Sequence, residues 1–324
     1  MSLPLPEFRP LSWLRGGHLD TLYAKALQEP APHYRRELLP DSLGKTLVAY
    51  DFVDAPQQDA PLVVLFHGLE GCSQSHYSIA LMHAVQKLGW HGVVAHFRGC
   101  GGVMNTAGVA YHSGDSHELA YMLDTLKQRY TRIYAVGVSL GGNVLAKYLG
   151  EQGKQAVPVA SAVVSAPLDL VDASETLSKG LNKRIYIPYF LRSLLPKIKN
   201  EADFHPPELI ENILKVKTLR DFDHLYTAPL HGFSDPDDYY RRASAKPYLK
   251  HIQRPTLVIN AKNDPFMSAK SLPQHHEVSA SVQLLQPKRG GHIGFVAGKG
   301  KGHINWLPET LLNYFQQHEQ MEQQ

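Results

Sequence analysis

The sequence has little cysteine, with only Cys72 and Cys100 among 324 residues. Two cysteines cannot build a disulfide framework or a cysteine-rich zinc site. No run of 18 uninterrupted apolar residues occurs, so no integral membrane segment is expected. An excess of one charge is also missing. Thirty-three Lys and Arg against 30 Asp and Glu leave a net +3. The basic residues are scattered, which gives no argument for nucleic acid as a partner. The first twenty-odd residues contain no basic region followed by an apolar core, so no leader is expected and a cytoplasmic setting is the default. The eighteen histidines are many, but none fall in the HExxH metal spacing. "GKGKGH" lacks the Ser or Thr that ends a P-loop, and "RGCGGVMNTAG" lacks the glycine order of a dinucleotide site. No metal and no organic cofactor is therefore expected.

What is present is ordinary globular composition, 43% hydrophobic and 19% charged, in a chain long enough to bury a large core. Apolar β-rich runs alternate with helical patterns. Strands are predicted at Thr46 to Phe52, Pro61 to Gly68, His91 to Phe97, Arg132 to Val138, Val159 to Pro167, Pro255 to Asp264 and Ser281 to Pro287. Helices are predicted at His76 to Gly89, at Ser116 to Tyr130 with Ser116 as N-cap, at Gly142 to Gly153 and at Ile304 to Gln320. The polar end "QQHEQMEQQ" reads as a frayed tail. Repeated β–α alternation means an α/β fold, a mainly parallel sheet with helices on both faces. Between about Leu168 and Lys250 the alternation stops, and proline-cut helical stretches take over. That predicts a core from residues 1–167 and 251–324 with a helical cap insertion at 168–250.

The chemistry starts at "RIYAVGVSLGGNVLAKYLG". A strand runs into Gly-Val-Ser-Leu-Gly, and a helix follows at once. The glycines let a serine sit at the apex of a sharp strand-to-helix turn, with its Oγ exposed above the sheet. Ser139 is thus a candidate nucleophile, and the next amide, Leu140, a candidate oxyanion donor. A serine nucleophile needs a base, and the base needs an orienting acid. Asp264 ends a later strand in "LVINAKNDPF". His292 follows the last strand in "QPKRGGHIGF". Asp264 would hold His292 in the right tautomer, and His292 would relay the proton. "LFHGLEGCSQSHY" supplies the second oxyanion donor, the Leu69 amide. His67 is expected to brace that loop, Glu70 to be a loop residue, and Cys100 a small buried hydrophobe. The aromatics Tyr186, Tyr189 and Phe190 either line an acyl channel or pack the cap onto the sheet.

Together "HGLEG", "FRGCGG", "GVSLGGN", "NAKNDP" and "GGHIGF" resemble the α/β-hydrolase superfamily. With "FRPLSWLRGGHLDTLYA" and "LRDFDHLYTAPLHGFSDPDDYYRRASA" they are similar to its YheT-like branch, the AB hydrolase 4 group of esterases and lipases. The resemblance spans Phe8 to Tyr314 and puts that family's triad on Ser139, Asp264 and His292. Asp20 stands where the group usually has Gln, and Gly101 where it often has Ser. The resemblance implies carboxylic-ester hydrolysis, carboxylesterase or acylglycerol-lipase in type, on a small-molecule ester or lipid. An acyltransferase or thioesterase with the same triad is an alternative reading, as is a non-catalytic lipid-binding protein on a hydrolase scaffold.

Overall fold

The computed structural model describes residues 5–322. Its elements in chain order begin with α1 (Gly17–Ala26), β1 (Arg35–Pro40), β2 (Leu47–Val53), β3 (Leu62–Phe66), α2 (His76–Leu88) and β4 (His91–Ala95). They continue with α3 (Ser116–Lys127), β5 (Ile133–Val138), α4 (Leu140–Gln152) and β6 (Ala160–Val164). Six further helices follow: α5 (Leu170–Leu177), α6 (Gly180–Asn200), α7 (Pro207–Ile213), α8 (Leu219–Phe222), α9 (Ala228–Leu230) and α10 (Pro236–Ala243). The chain closes with β7 (Thr256–Ile259), β8 (Val282–Leu285) and α11 (Trp306–Glu322).

The strands form one eight-stranded sheet in the order β1-β2-β4-β3-β5-β6-β7-β8. Pairing is antiparallel for β1 with β2 and β2 with β4, and parallel from β4 through β8. Strand β3 shows why its sequence is apolar throughout: all five residues are buried. Successive side chains point to opposite faces. Leu62, Val64 and Phe66 join the layer of α3 and α4, with Leu123, Leu126, Val144 and Leu145. Val63 and Leu65 join the layer of α2 and α11, with Leu81, Val85, Leu311 and Phe315. A sheet covered on both faces needs apolar residues at every strand position.

Helix α3 is capped one residue earlier than the sequence suggested. The Asp115 side chain accepts the Glu118 N–H, and Ser116 is the first helical residue. A carboxylate there also complements the helix dipole. The expected fray at the C-terminus is not seen, because α11 continues to Glu322. Glu319 holds it by pairing with Arg132 and accepting from the Tyr134 hydroxyl at 2.5 Å. Residues 323–324 of that stretch lie outside the described residues.

Two elements escaped the sequence reading. Strand β1 is the sheet edge, and its burial pattern never exceeds half-buried. Charged residues dominate its start: Arg35 pairs with Glu37 and Asp54. Helix α1 begins after Gly16, which offers no side chain to cap it. Its stability comes from tertiary contacts that local sequence does not display.

Between β6 and β7 every named element is helical, and the segment has its own apolar cluster around Ile187, Leu191, Ile213, Phe222 and Tyr226. Its two ends meet. Lys246 N–H donates to Leu168 O at 2.9 Å. Asn143, fully buried in α4, donates to Ala243 O at 2.8 Å and accepts the Ala245 N–H at 2.9 Å. No helix among the described residues is long and apolar enough to cross a membrane.

Candidate active site

Strands β3, β5, β7 and β8 run parallel, and each feeds a site residue from the loop after its C-terminal end. This is where open α/β sheets generally place ligands. Ser139 follows β5 with φ 53° and ψ −119°. That left-handed conformation costs a non-glycine residue on the order of 1–3 kcal/mol. Two glycines make the turn possible. A Cβ on Gly137 would lie 2.5 Å from Gly141 O, and one on Gly141 would lie 2.4 Å from Phe66 O. Both obstacles are backbone, so neither can yield.

His292 Nε2 lies 2.9 Å from Ser139 Oγ, and His292 Nδ1 lies 2.9 Å from Asp264 Oδ2. All three residues are buried. The other Asp264 oxygen accepts the Phe266 N–H at 2.8 Å. A carboxylate only accepts, so Nδ1 carries the imidazole proton and Nε2 is left to accept from the serine. The Phe266 ring stacks on the imidazole at 3.8 Å between centroids and fixes its plane.

The loop after β3 is closed by Gly71 N–H donating to Gly68 O at 2.9 Å. Its amides are divided in a specific way. Gly68 N–H donates to the Tyr77 hydroxyl at 3.1 Å, and Glu70 N–H donates to the Tyr111 hydroxyl at 2.9 Å. Between them the Leu69 N–H has no acceptor among the described residues, and neither has the Leu140 N–H at the start of α4. Leu69, Leu140 and Ser139 line the same cavity. The arrangement offers two free donors beside one hydroxyl.

His67 lies next to this loop. Its Nδ1 donates to Gly68 O at 2.7 Å, and its Nε2 accepts the Phe97 N–H at 3.2 Å. Complete burial pushes its pKa down to about 3, so the ring is neutral and fully engaged in bracing. Cys100 is buried as well, and burial raises its thiol to about 12.

Several residues that position the site lay in the quoted stretches with no role assigned to them. Thr21 of α1 accepts the His292 N–H on Oγ1 at 2.8 Å and donates to Gly17 O at 2.6 Å. Asn263 Oδ1 accepts the Gly291 N–H at 3.0 Å. Asp20 accepts from Asn263 Nδ2 at 2.8 Å and from Arg289 at 3.1 Å. The residue that departs from the usual Gln thus ties the acid loop to the histidine loop. Gly17 must be glycine, since a Cβ there would sit 1.9 Å from Asn263 O. The stretch "GGHLDT" was visible as a branch feature, but its contacts span more than 240 residues, and no local pattern reports them.

Two cavities meet at Ser139. One runs under the 168–250 segment and is lined by Leu170, Leu177, Ile187, Leu194 and Tyr226. The other opens between α1 and α6 and is lined by Leu22, Lys25, Ile185, Tyr189 and His292. Leu69, Glu70, Phe190 and Phe266 border both. Tyr186 lines the second cavity and its ring meets Phe266, while Tyr189 is more than half exposed at the mouth under the Lys25 ammonium.

Comparison with known proteins agrees with this fold. A family described as the alpha/beta hydrolase fold matches residues 61–299. The chain is 36% identical to "Putative esterase YheT" of Escherichia coli strain K12, covering 96% of this chain and 94% of that protein. It is 28% identical to human "Phospholipase ABHD3", over 95% of this chain and 78% of the relative. Among solved structures, the Pyrococcus furiosus esterase Pf2001 superposes with a TM-score of 0.53 at 14% identity, covering 81% of this chain and 85% of that one. That likeness speaks for the fold alone. On the family match and the near full-length relative, the chain belongs to the α/β-hydrolase family, in its YheT-like branch.

Proposed function

We propose that this protein is a carboxylic ester hydrolase, of the carboxylesterase or acylglycerol-lipase type, working through Ser139, His292 and Asp264. The observation that carries the reading is the unbroken chain of hydrogen bonds Asp264–His292–Ser139, at 2.9 Å for each link. His292 Nε2 takes the Ser139 proton as Oγ adds to the ester carbonyl. Asp264 keeps Nδ1 protonated and stabilises the imidazolium that forms. The Leu69 and Leu140 amides hold the oxyanion, which needs donors already aimed where the charge develops. His292 then delivers the proton to the leaving alcohol, and the acyl group stays on Oγ. Water, deprotonated by Nε2, releases the acid and restores the serine.

The esterase and phospholipase names of the relatives support the reaction class. In this reading residues 168–250 act as a cap on a core of 1–167 and 251–324. The apolar cavity beneath the cap takes the acyl chain, and the cavity between α1 and α6 admits the alcohol side. A fluorophosphonate probe tests the mechanism. Wild type should label and Ser139→Ala should not. Equal labelling of both, or no labelling of folded wild type, would overturn it. A series of p-nitrophenyl esters tests the chain assignment: widening the cavity with Leu177→Ala should move the preferred acyl length upward, and an unchanged preference would sink it.

A further inference from the structure

Glu70 read as an unremarkable loop residue in the sequence, yet its surroundings are dense. Its side chain is 4% exposed. Oε1 accepts from the Tyr111 hydroxyl at 2.9 Å and from Lys197 Nζ at 2.8 Å, and Oε2 accepts from the Ser193 hydroxyl. Ser193 and Lys197 belong to α6, while Lys197 also lies 3.4 Å from Cys100 Sγ. The carboxylate therefore joins the loop after β3 to the helix that covers the site.

The backbone around Glu70 is equally particular. Its φ is 57°, a left-handed value that glycine would adopt freely. A bulky residue in that conformation costs about 1–2 kcal/mol. The conformation nonetheless holds, and the same Tyr111 hydroxyl that donates to the carboxylate accepts Glu70's own N–H. The peptide that carries the Leu69 N–H is held separately, its Gly68 carbonyl accepting from the His67 ring at 2.7 Å and from Gly71 N–H at 2.9 Å. Leu69's amide is thus fixed from both flanks, and the Glu70 flank is anchored to α6.

We propose that Glu70 is a positioning residue that holds the Leu69 amide in register as an oxyanion donor while α6 is seated on the site. This rests on the hydrolase reading above. Through Glu70, the docking of α6 sets the rate of chemistry as well as access to the cavity. Substitution of Lys197, which lies on α6 and touches no part of the Asp264–His292–Ser139 chain, then slows turnover.

The test uses p-nitrophenyl acetate, whose acyl group is too short to depend on the acyl cavity. Addition to the ester and hydrolysis of the acyl-enzyme both develop an oxyanion, so whichever step limits turnover reports the donor. Removing an oxyanion donor costs roughly 100-fold to 1,000-fold in kcat. Glu70→Ala should lower kcat by about 100-fold with KM within about threefold, because the donor is misplaced while an acetyl ester is too small to draw much binding from the cavity walls. Lys197→Met should lower kcat about tenfold. The double variant should be no slower than Glu70→Ala alone, since both act through one link. Fluorophosphonate labelling should slow in parallel. Glu70→Gln keeps the size and the hydroxyl partners and should fall between wild type and Glu70→Ala, which keeps the test open if the alanine variant does not fold. Effects confined to KM, additive losses, or a kcat within twofold of wild type in folded Glu70→Ala and Glu70→Gln would overturn the proposal. Ser139→Ala separates the two readings. If it retains turnover, the hydrolase mechanism fails. If it is dead while the Glu70 variants are normal, only the positioning role fails.

Discussion

Helix α1 should be part of the catalytic apparatus although it contributes no reacting group, and Thr21→Val tests this. Valine matches threonine in shape, so the change removes a hydroxyl and little else. Two hydrogen bonds go with it, from His292 N–H at 2.8 Å and to Gly17 O at 2.6 Å. Gly17 is half-buried at the start of α1, whereas the His292 amide sits in a buried residue and is left without a partner. An unsatisfied buried amide costs about 1–3 kcal/mol, so a stability loss of about 2 kcal/mol is expected. A domain with about 5–15 kcal/mol in hand remains folded after that loss. The catalytic effect follows from geometry. The histidine loop loses one of its fixed points, and a displacement near 1 Å at a reacting group costs up to about 100-fold. Urea denaturation and steady-state hydrolysis of p-nitrophenyl butyrate give both readouts on one sample. Expected are a lower midpoint and a kcat reduced about tenfold or more, with Thr21→Ser close to wild type in both. A variant that loses stability but keeps its kcat would refute the positioning argument, and one that loses neither would refute the hydrogen-bond reading itself.

Arg98 is 4% exposed and pairs with Asp41, Asp115 and Glu118, so Arg98→Met strands three carboxylates and should cost about 3–5 kcal/mol in chemical denaturation. A loss below about 1 kcal/mol would show that the cluster does not depend on its cation. Burial holds His67 and His112 down to about 3 and His76 to about 4, against an ordinary 6.5. The unfolded chain binds these protons first, so their contribution is complete above about pH 6.5 and is lost as pH falls toward the folded values. Each group should cost about 2 kcal/mol between pH 6.5 and 5, seen as a falling urea midpoint, and a flat profile over that range would refute the assignment.

The sheet and the proposed reacting residues were legible because each leaves a mark on local sequence. A strand covered on both faces must be apolar at every position, as β3 is. A serine on a strained turn needs Gly137 and Gly141, and their spacing can be read directly. The unseen parts are those whose reason lies far along the chain. Strand β1 is stabilised by ion pairs at an edge, and α1 by contacts to the loops at 263 and 291. Glu70 is the sharpest case. Its neighbours in sequence mark a turn, while the partners that explain it, Ser193 and Lys197, stand over 120 residues away.

The single backbone hydrogen bond from Lys246 to Leu168, with Asn143 clasping the strand of chain beside it, has a consequence for how this fold can vary. The chain leaves the sheet and returns to it through one narrow gap. Whatever is spliced across that gap leaves the strand order untouched, because closing a longer excursion costs only about 0.6 kcal/mol per doubling of its length. Asn143 sits four residues past Ser139, the proposed nucleophile, so the clasp that fixes the splice point is built into the same helix that presents it. On the proposed reading, selectivity can be rewritten by exchanging a surface excursion, while the helix that presents Ser139 keeps its place.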